Sequence, residues 1–186
     1  MAFAPDALTS AGGYPNDDYE GGQLFRQIDR GRMTQDFVAA ARWLKGREDC
    51  TGRIGSTGFC YGGGMSNTLA VLLGEDLAAA APFYGSAPAA EDVASIRAAI
   101  QVHHGELDTR LVNAWPDYEA ALKANGKEYT AYMYPDVNHG FHNDTTPRYD
   151  ADAAALAEPW REAHHEAEIA EHGRVVEDLR QPASGQ

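Results

Sequence analysis

The stretch Gly58-Phe59-Cys60-Tyr61-Gly62-Gly63-Gly64 decides how this chain folds. It follows a strand-like run, Arg53–Thr57, and precedes a helix-like run, Met65–Leu73. A side chain raised to the tip of a sharp strand-to-helix turn brings the two backbones almost into contact, so the positions two before and two after Cys60 must lack bulk. The residue at the tip usually holds a strained backbone that projects its side chain clear of the sheet. The pattern predicts a nucleophile elbow in which sulfur replaces oxygen.

Two plainer interpretations of the same glycines stay open. One is a buried cysteine beside a glycine-rich helix start, and the other is a loop that binds a phosphate or a dinucleotide. A phosphate loop would end in Lys-Ser or Lys-Thr, and a dinucleotide loop would read Gly-x-Gly-x-x-Gly. Neither pattern is written in this stretch. The sequence therefore favours the elbow.

The composition indicates an acidic, soluble protein. With 186 residues the chain is long enough for one domain with a hydrophobic core. Its formal net charge of −13 disfavours nucleic acid and anionic membrane as partners. No run approaches the roughly 18 apolar residues of a membrane span, and the first residues lack the pattern of a signal peptide. Because Cys50 and Cys60 do not make a disulfide framework, we expect a cytoplasmic protein.

Strand-like and helix-like segments alternate along the chain. The predicted strands are Arg53–Thr57, Leu77–Tyr84, Ala98–His104 and Tyr129–Tyr134, although periodicity alone also allows a helix for the second. The predicted helices are Glu20–Arg30, Thr34–Lys45, a segment ending near Leu73, a segment around Trp115–Leu122, and a polar one from Pro147 to about Leu179. Met1–Ala4 resembles the end of a buried strand. This alternation predicts an α/β fold with a mostly parallel sheet and flanking helices.

Three chemically useful side chains follow the ends of predicted strands: Cys60, Asp108 and His139. Ligands of an open parallel sheet bind outside these carboxyl ends. The chain order of nucleophile, acid and histidine is the order found in α/β-hydrolases. In this interpretation His139 takes the thiol proton, Asp108 holds the imidazole, and Cys60 attacks an acyl carbon. The backbone N–H of Tyr61 supplies one donor of the oxyanion hole.

Each of these residues, taken alone, also has a plainer interpretation. Asp108 could be only a turn acid, and Glu106 could be the acid in its place. His103 and His104 end a predicted strand, and one of them could be buried and hydrogen-bonded. The histidines of His164–His172 lack the His-Glu-x-x-His spacing of a zinc helix. They are interpreted as a solvated helix face, and no metal is expected.

The sequence closely resembles the dienelactone hydrolase family of α/β-hydrolases over about residues 1–160. The resemblance is carried by the segments Ala2–Leu8, Arg53–Gly55, Gly58–Gly63, Phe83–Gly85, His104–Asp108, Tyr134–Pro135 and Asn138–Phe141. Its specific part is the elbow, Gly-x-Cys-x-Gly-Gly. The resemblance implies that Cys60, Asp108 and His139 are the triad of an ester or lactone hydrolase that uses no cofactor.

The chain also departs from the pattern of this family. Such proteins normally begin earlier, and Met1–Ala4 looks like their fourth strand, so we expect an N-terminally truncated, minimal version of the sheet. The loop after the missing third strand normally supplies the second oxyanion donor and a glutamate that helps to activate the cysteine. The arginines that hold the dienelactone carboxylate are absent from the matching stretches, Ala4–Asp6 and Phe141–Asn143. That absence argues against dienelactone itself as the substrate and leaves a generic small ester.

These observations favour hydrolysis of small carboxylic esters or lactones through a thioester at Cys60. The alternative is a catalytically weak or silent hydrolase-like domain with a binding or assembly role, and a third interpretation is a redox thiol. An exposed sheet edge predicts a homo-oligomer. We expect residues 1–160 to form the hydrolase-like domain, with a polar helix at 161–180 and a disordered tail at 181–186.

Overall fold

One parallel sheet of five strands organises the larger part of the fold. The structure, a computed structural model, describes residues 1–157 and the backbone of residues 176–178. The strands are β1 Gly55–Phe59, β2 Ala79–Phe83, β3 Ala99–Gly105, β4 Tyr129–Tyr134 and β5 Val176–Asp178. Their order in the sheet is the order of the chain, and every neighbouring pair is parallel. The predicted parallel α/β sheet is confirmed.

Helices connect the parallel strands, because strands that run in the same direction need a crossover between them. The helices are α1 Asp18–Gln27, α2 Arg30–Lys45, α3 Tyr61–Leu73, α4 Thr109–Ala124 and α5 Ala151–Ala157. Helix α3 joins β1 to β2, and helix α4 joins β3 to β4. Short 3-10 turns occupy Thr9–Ala11, Gly74–Asp76 and Ala90–Ser95. The loops that follow β1, β3 and β4 therefore meet at the same edge of the sheet.

The chain separates into two compact units, Met1–Ile54 and Gly55–Gln186. In the first unit, α1 and α2 each begin after an aspartate, Asp17 and Asp29, whose side chain accepts a backbone N–H three residues further on. Such caps give partners to N–H groups that the start of a helix leaves unbonded. These two helices are therefore started by local sequence signals.

One buried cluster of the second unit lies near the carboxyl ends of strands β2 and β4. Phe83, at the end of β2, is fully buried, and its ring stacks on that of His103 with 4.1 Å between centroids. The buried cluster around it consists of Phe83, Tyr84, Leu111, Tyr134, Val137, Phe141, Ala153 and Ala157. Because the interior of a protein is close-packed, this cluster gives the loops at the sheet edge a rigid base.

Two predictions for the first unit are wrong. Met1–Ala4 forms no strand and is exposed. Phe3 instead packs against Trp43 of α2, with 5.0 Å between ring centroids. The helix predicted over Glu20–Arg30 ends at Gln27, because the backbone of Ile28 is extended and the next helix begins two residues later.

The C-terminal prediction is partly corrected. The helix predicted from Pro147 begins only at Ala151, where the side chain of Asp150 accepts the N–H of Ala153 at 2.9 Å. The tail at 181–186, and most of the helix predicted over 161–180, lie outside the described residues. Within that range the backbone of Val176–Asp178 forms β5 and not a helix, since it pairs with β4. This pairing gives partners to peptide groups along β4.

Gly62 and Gly63 lead to opposite predictions for an added methyl group. A Cβ on Gly63 would overlap the carbonyl oxygen of Phe83 and lie 2.9 Å from the Cα of Gly85, whereas a Cβ on Gly62 would meet nothing within 4 Å. We expect Gly63→Ala to lower the free energy of unfolding by about 1–3 kcal/mol, as overpacking does. Gly62→Ala should leave it unchanged or raise it by up to about 1 kcal/mol, because Ala is the better helix former.

Urea denaturation of these two variants measures the difference. Equal free energies of unfolding would contradict the close approach of α3 to the end of β2.

Candidate active site

Cys60 lies at a sharp bend between β1 and α3. Its φ of 54° and ψ of −113° place it in a region that residues other than glycine rarely adopt. Its N–H donates to the carbonyl of Phe83 at 3.1 Å, and its own carbonyl accepts the N–H of Gly64 at 3.1 Å. The side chain reaches the surface. The strained turn that the sequence predicts is therefore present.

The glycines around this bend do not share one role. A Cβ on Gly58 would overlap the backbone of Gly62, so a side chain at Gly58 is excluded. Gly62 itself has open space where its side chain would lie, so the predicted steric demand at that position is wrong. The second close approach is that of Gly63 to Gly85, just beyond the end of β2. Together these two contacts fix the direction in which Cys60 points.

Asp108 follows β3 and directly precedes α4. Its carbonyl accepts the N–H groups of Leu111 and Val112, both at 3.0 Å, but its carboxylate makes no capping bond to that helix. Oδ2 of Asp108 instead lies 2.7 Å from Nδ1 of His139, and the Asp108 side chain is only 7% exposed. Asp108, and not the alternative acid Glu106, makes this contact.

His139 lies in the loop after β4, between the other two residues. Its Nδ1 faces Asp108 at 2.7 Å, and its Nε2 lies 3.1 Å from Sγ of Cys60. The carbonyl of Val137, in the same loop, accepts the N–H of Leu107 at 2.9 Å and so ties this loop to the one after β3. The structure thus brings the three sequence-predicted residues together, with the imidazole between the thiol and the carboxylate.

This geometry selects one tautomer of the imidazole. A carboxylate can only accept, so the His139 nitrogen that faces Asp108 carries the proton. In the neutral ring, Nε2 is then an acceptor directed at the Cys60 thiol. Such an arrangement can remove a proton from sulfur and later return it.

The surroundings of Cys60 favour the neutral thiol. Although part of the side chain reaches solvent, burial raises the pKa of the Cys60 thiol above its ordinary value of 9.0. The positive charge of Arg148 opposes this increase, the Asp108 carboxylate adds to it, and Arg110 opposes it. In the resting protein at neutral pH the thiol therefore keeps its proton, and a base must take it during a reaction.

The sequence pattern predicts no role for these two arginines beside Cys60. Nε of Arg148 lies 3.6 Å from the position that a Cβ on Gly140 would occupy, next to His139 in the chain. Nη1 of Arg110 donates to Oγ of Ser86 at 3.4 Å. Neither arginine falls in the stretches compared with the family pattern. The one feature of the sequence that could have indicated Arg110 as a site residue is its position, two residues after Asp108.

Three further residues of the sequence analysis have defined places. Tyr61 is the first residue of α3, so its N–H lies at the positive end of the helix dipole. His103 and His104 are both buried, and Nδ1 of His103 lies 2.8 Å from the hydroxyl of Tyr134. Burial lowers the pKa of His104 to about 4, which keeps this ring neutral at neutral pH. The histidine whose ring nitrogen lies within hydrogen-bond distance of Sγ of Cys60 is His139.

A metal-binding cluster and a membrane-spanning helix are both absent from the part of the chain that the structure describes. Across residues 1–157 and 176–178, no cluster of three or more His, Cys, Asp or Glu side chains could hold a metal ion. The histidines of His164–His172 lie outside that part of the chain. No helix within the described part is long and apolar enough to cross a membrane.

The parallel sheet and the turn at Cys60 define a protein of the α/β-hydrolase type. Solved structures share this fold. The dienelactone hydrolase of Anabaena variabilis has a TM-score of 0.58 and 20% identity, over 86% of this chain and 75% of that one. A dienelactone hydrolase-like promiscuous phosphotriesterase from metagenomic libraries has a TM-score of 0.63 and 21% identity, over 80% of this chain and 66% of that one.

The chain belongs to the dienelactone hydrolase family, whose model matches residues 1–165. Protein usf of Aquifex pyrophilus is 30% identical over 151 residues, which cover 77% of this chain and 64% of that protein. A Methylorubrum extorquens protein with the provisional name carboxymethylenebutenolidase is 26% identical over 144 residues, or 71% of this chain and 49% of that protein. The chain thus spans about half to two thirds of the length of these relatives. The family resemblance found in the sequence is confirmed.

The raised pKa of Cys60 leads to a prediction for its reaction with iodoacetamide. Only the thiolate reacts, and because its pKa lies above 9.0 the thiolate fraction stays small at neutral pH and grows as the pH rises through and beyond that value. We expect the alkylation rate, followed by mass spectrometry of the Cys60 peptide, to keep rising in alkaline solution. Arg148→Gln should move the rise to higher pH. A rate that is already constant near neutral pH would instead indicate a stable thiolate–imidazolium pair and contradict the prediction.

Proposed function

We propose that this protein hydrolyses small carboxylic esters or lactones. Cys60 is the nucleophile, His139 the general base and acid, and Asp108 the residue that orients the imidazole. The observation that carries the proposal is the pair of contacts at His139, 3.1 Å to the thiol and 2.7 Å to the carboxylate. The family name and the provisional name of one relative agree with this chemistry.

Acylation begins when Sγ of Cys60 attacks the acyl carbon and the thiol proton passes to Nε2 of His139. The carbonyl electron pair moves to oxygen, and the backbone N–H of Tyr61 donates to this oxyanion. When the tetrahedral intermediate collapses, the C–O bond breaks and His139 gives its proton to the leaving oxygen. The products are an alcohol and a thioester on Cys60; in a lactone the alcohol stays attached to the acyl group.

Deacylation repeats these steps with water. His139 takes a proton from a water molecule whose oxygen attacks the thioester carbon, the C–S bond breaks, and the sulfur regains its proton from His139. Asp108 stabilises the imidazolium that forms in both halves of the reaction. One water molecule is consumed, a carboxylic acid is released, and no atom is oxidised or reduced.

Two positive charges extend the proposed substrate class to anionic esters. Arg148 and Arg110 act on Cys60 in a protein whose formal net charge is −13. A carboxylate on the acyl part of a substrate would meet these guanidinium groups near the nucleophile. The stretches without the family's substrate-binding arginines, Ala4–Asp6 and Phe141–Asn143, include neither Arg110 nor Arg148. Their absence there therefore does not exclude an anionic substrate at these two arginines.

Replacement of the nucleophile tests the mechanism. Cys60→Ala should reduce hydrolysis of p-nitrophenyl acetate to the rate in buffer, whereas Cys50→Ala, the matched control at the other cysteine, should keep the wild-type rate. Asp108→Asn should lower kcat by about 10²–10⁴-fold, because the wrong tautomer is then favoured. Equal rates for the wild type and Cys60→Ala would reject the proposal.

Removal of one arginine tests the preference for anionic esters. Arg148→Gln should raise KM for mono-p-nitrophenyl succinate by up to about fivefold, the effect of a partly exposed ion pair, and leave KM for p-nitrophenyl acetate unchanged. Arg32→Gln removes the same charge elsewhere, at a residue that is not among the causes of the Cys60 pKa shift. An equal change in KM for mono-p-nitrophenyl succinate in Arg148→Gln and Arg32→Gln would show only an effect of net charge and contradict the preference.

A catalytically weak or silent hydrolase-like domain is the second candidate. It is favoured by the raised pKa of Cys60, which leaves little thiolate at neutral pH. The same raised pKa argues against a redox thiol, since peroxide reacts with the thiolate. A wild-type protein that hydrolyses p-nitrophenyl acetate no faster than buffer would favour the silent domain.

Self-association and a cytoplasmic location remain proposals. Strand β1 is at one end of the sheet, where a strand offers backbone groups to another chain. A molar mass of one chain in light scattering at micromolar concentration would contradict self-association. Both cysteines are free thiols, as expected for a protein in a reducing compartment such as the cytoplasm. Cell fractionation tests this location.

A further inference from the structure

Tyr84 combines a strained backbone with a buried side chain beside the candidate site. It directly follows β2, and its φ of 36° is an outlier for a bulky residue. The residue is 1% exposed. Its N–H donates to the carbonyl of His103 at 2.7 Å, so the sheet itself holds the strained residue in place. Strain that persists next to a reactive group is a reason to look for a function.

The backbone after Tyr84 is held by the same helix that carries the nucleophile. A Cβ on Gly85 would overlap the backbone of Gly63 in α3. The direction of the Tyr84 side chain is therefore linked to the position of Cys60.

The Tyr84 ring packs against the loop that carries His139. The ring centroids of Tyr84 and His139 are 5.0 Å apart, and those of Tyr84 and Phe141 are 5.5 Å apart. Tyr84 also lies 6.0 Å from the ring of Phe59, the residue before Cys60. One side chain thus contacts both the turn with the thiol and the loop with the imidazole.

The Tyr84 hydroxyl is unsuited to acid–base chemistry. Burial raises the pKa of the phenol well above its ordinary value, and the negative charge of a Cys60 thiolate would raise it further, whereas a backbone hydrogen bond from His142 acts in the opposite direction. The phenol therefore stays neutral. Its burial also keeps it from touching a substrate, so any effect of Tyr84 on a reaction must pass through its neighbours.

Hydrogen bonds alone do not fix the His139 ring. Contacts at its two ring nitrogens, to Asp108 and Cys60, leave the ring free to tilt about the line that joins those nitrogens. A neighbouring ring packed against the imidazole removes that freedom. From this geometry we infer that Tyr84 is a positioning residue, whose ring holds His139 in the tilt that directs its two nitrogens at Asp108 and Cys60.

The inferred effect on rate rests on the proposed function, but the effect on the orientation of His139 does not. Tyr84→Leu removes the ring without adding a β-branched side chain at a strained φ, and Tyr84→Phe removes only the hydroxyl. Tyr118→Phe is the matched control, because Tyr118 is also buried and its hydroxyl bonds to Asn67 at 3.0 Å, away from His139. If Tyr84→Leu does not fold, Tyr84→Met fills the same space without a flat ring.

Two measurements test whether Tyr84 positions His139. The first is the NMR signal of the Nδ1 proton of His139, which the bond to Asp108 protects from exchange with water. The second is the kinetics of p-nitrophenyl acetate hydrolysis. We expect Tyr84→Leu to lose the signal and to lower kcat at least about tenfold with KM within about twofold, as misplacement of a catalytic group does. Tyr84→Phe and Tyr118→Phe should keep the signal and stay within about threefold of the wild-type kcat.

Persistence of the signal in Tyr84→Leu, or its equal loss in Tyr118→Phe, would overturn the inference. A wild type that lacks the signal would also overturn it, because His139 would then not be held at all. A wild type that shows the signal but hydrolyses no ester would reject only the proposed function. In that case the NMR comparison of the variants alone decides the role of Tyr84.

Discussion

The imidazole of His139 joins loops that follow three different strands, and this constraint ties the candidate chemistry to the whole sheet. It meets Cys60 after β1 and Asp108 after β3, and it is itself carried on the loop after β4. A slip of one residue between neighbouring strands would move a loop by about 3.3 Å. That distance is as large as either contact of the imidazole, so the register of β1 to β4 must be kept for the three residues to meet.

Close backbone contacts at glycines keep this register and orient the thiol. The packing of Gly63 on the end of β2 leaves no room for a methyl group, and Gly58 meets the first turn of α3 in the same way. At this turn the Cys60 side chain reaches the surface, but burial of part of it raises the pKa of its thiol. The tight turn therefore positions the Cys60 thiol, and in the proposed reaction the raised pKa makes a neighbouring base necessary.

Much of this arrangement could be predicted from the sequence because it depends on local patterns. The glycines around Cys60 identify the turn, and the apolar runs before Asp108 and His139 identify strands whose carboxyl ends must meet. The two arginines were missed because their approach to the thiol depends on how separate loops fold back. The strain at Tyr84 was missed for the same reason, since no local pattern around it requires a positive φ.

Other predictions from the sequence were wrong because contacts with residues distant in the chain decide the local structure. Gly62 and Gly63 look equivalent in the sequence, and only the position of the neighbouring strand decides which one must lack a side chain. The sequence around Val176–Asp178 is polar and favours a helix, but pairing with β4 makes these three residues a strand. Met1–Ala4 is apolar enough for a strand, but it forms none, and Phe3 packs against Trp43 of α2 instead.

The most direct test of the account is the mass of the Cys60 peptide after the wild-type protein is mixed with p-nitrophenyl acetate and quenched in acid within one turnover. The account predicts one acetyl group on Cys60 that forms as fast as p-nitrophenol is first released, and its absence in His139→Ala. Release of p-nitrophenol with Cys60 unmodified at every time point would contradict it.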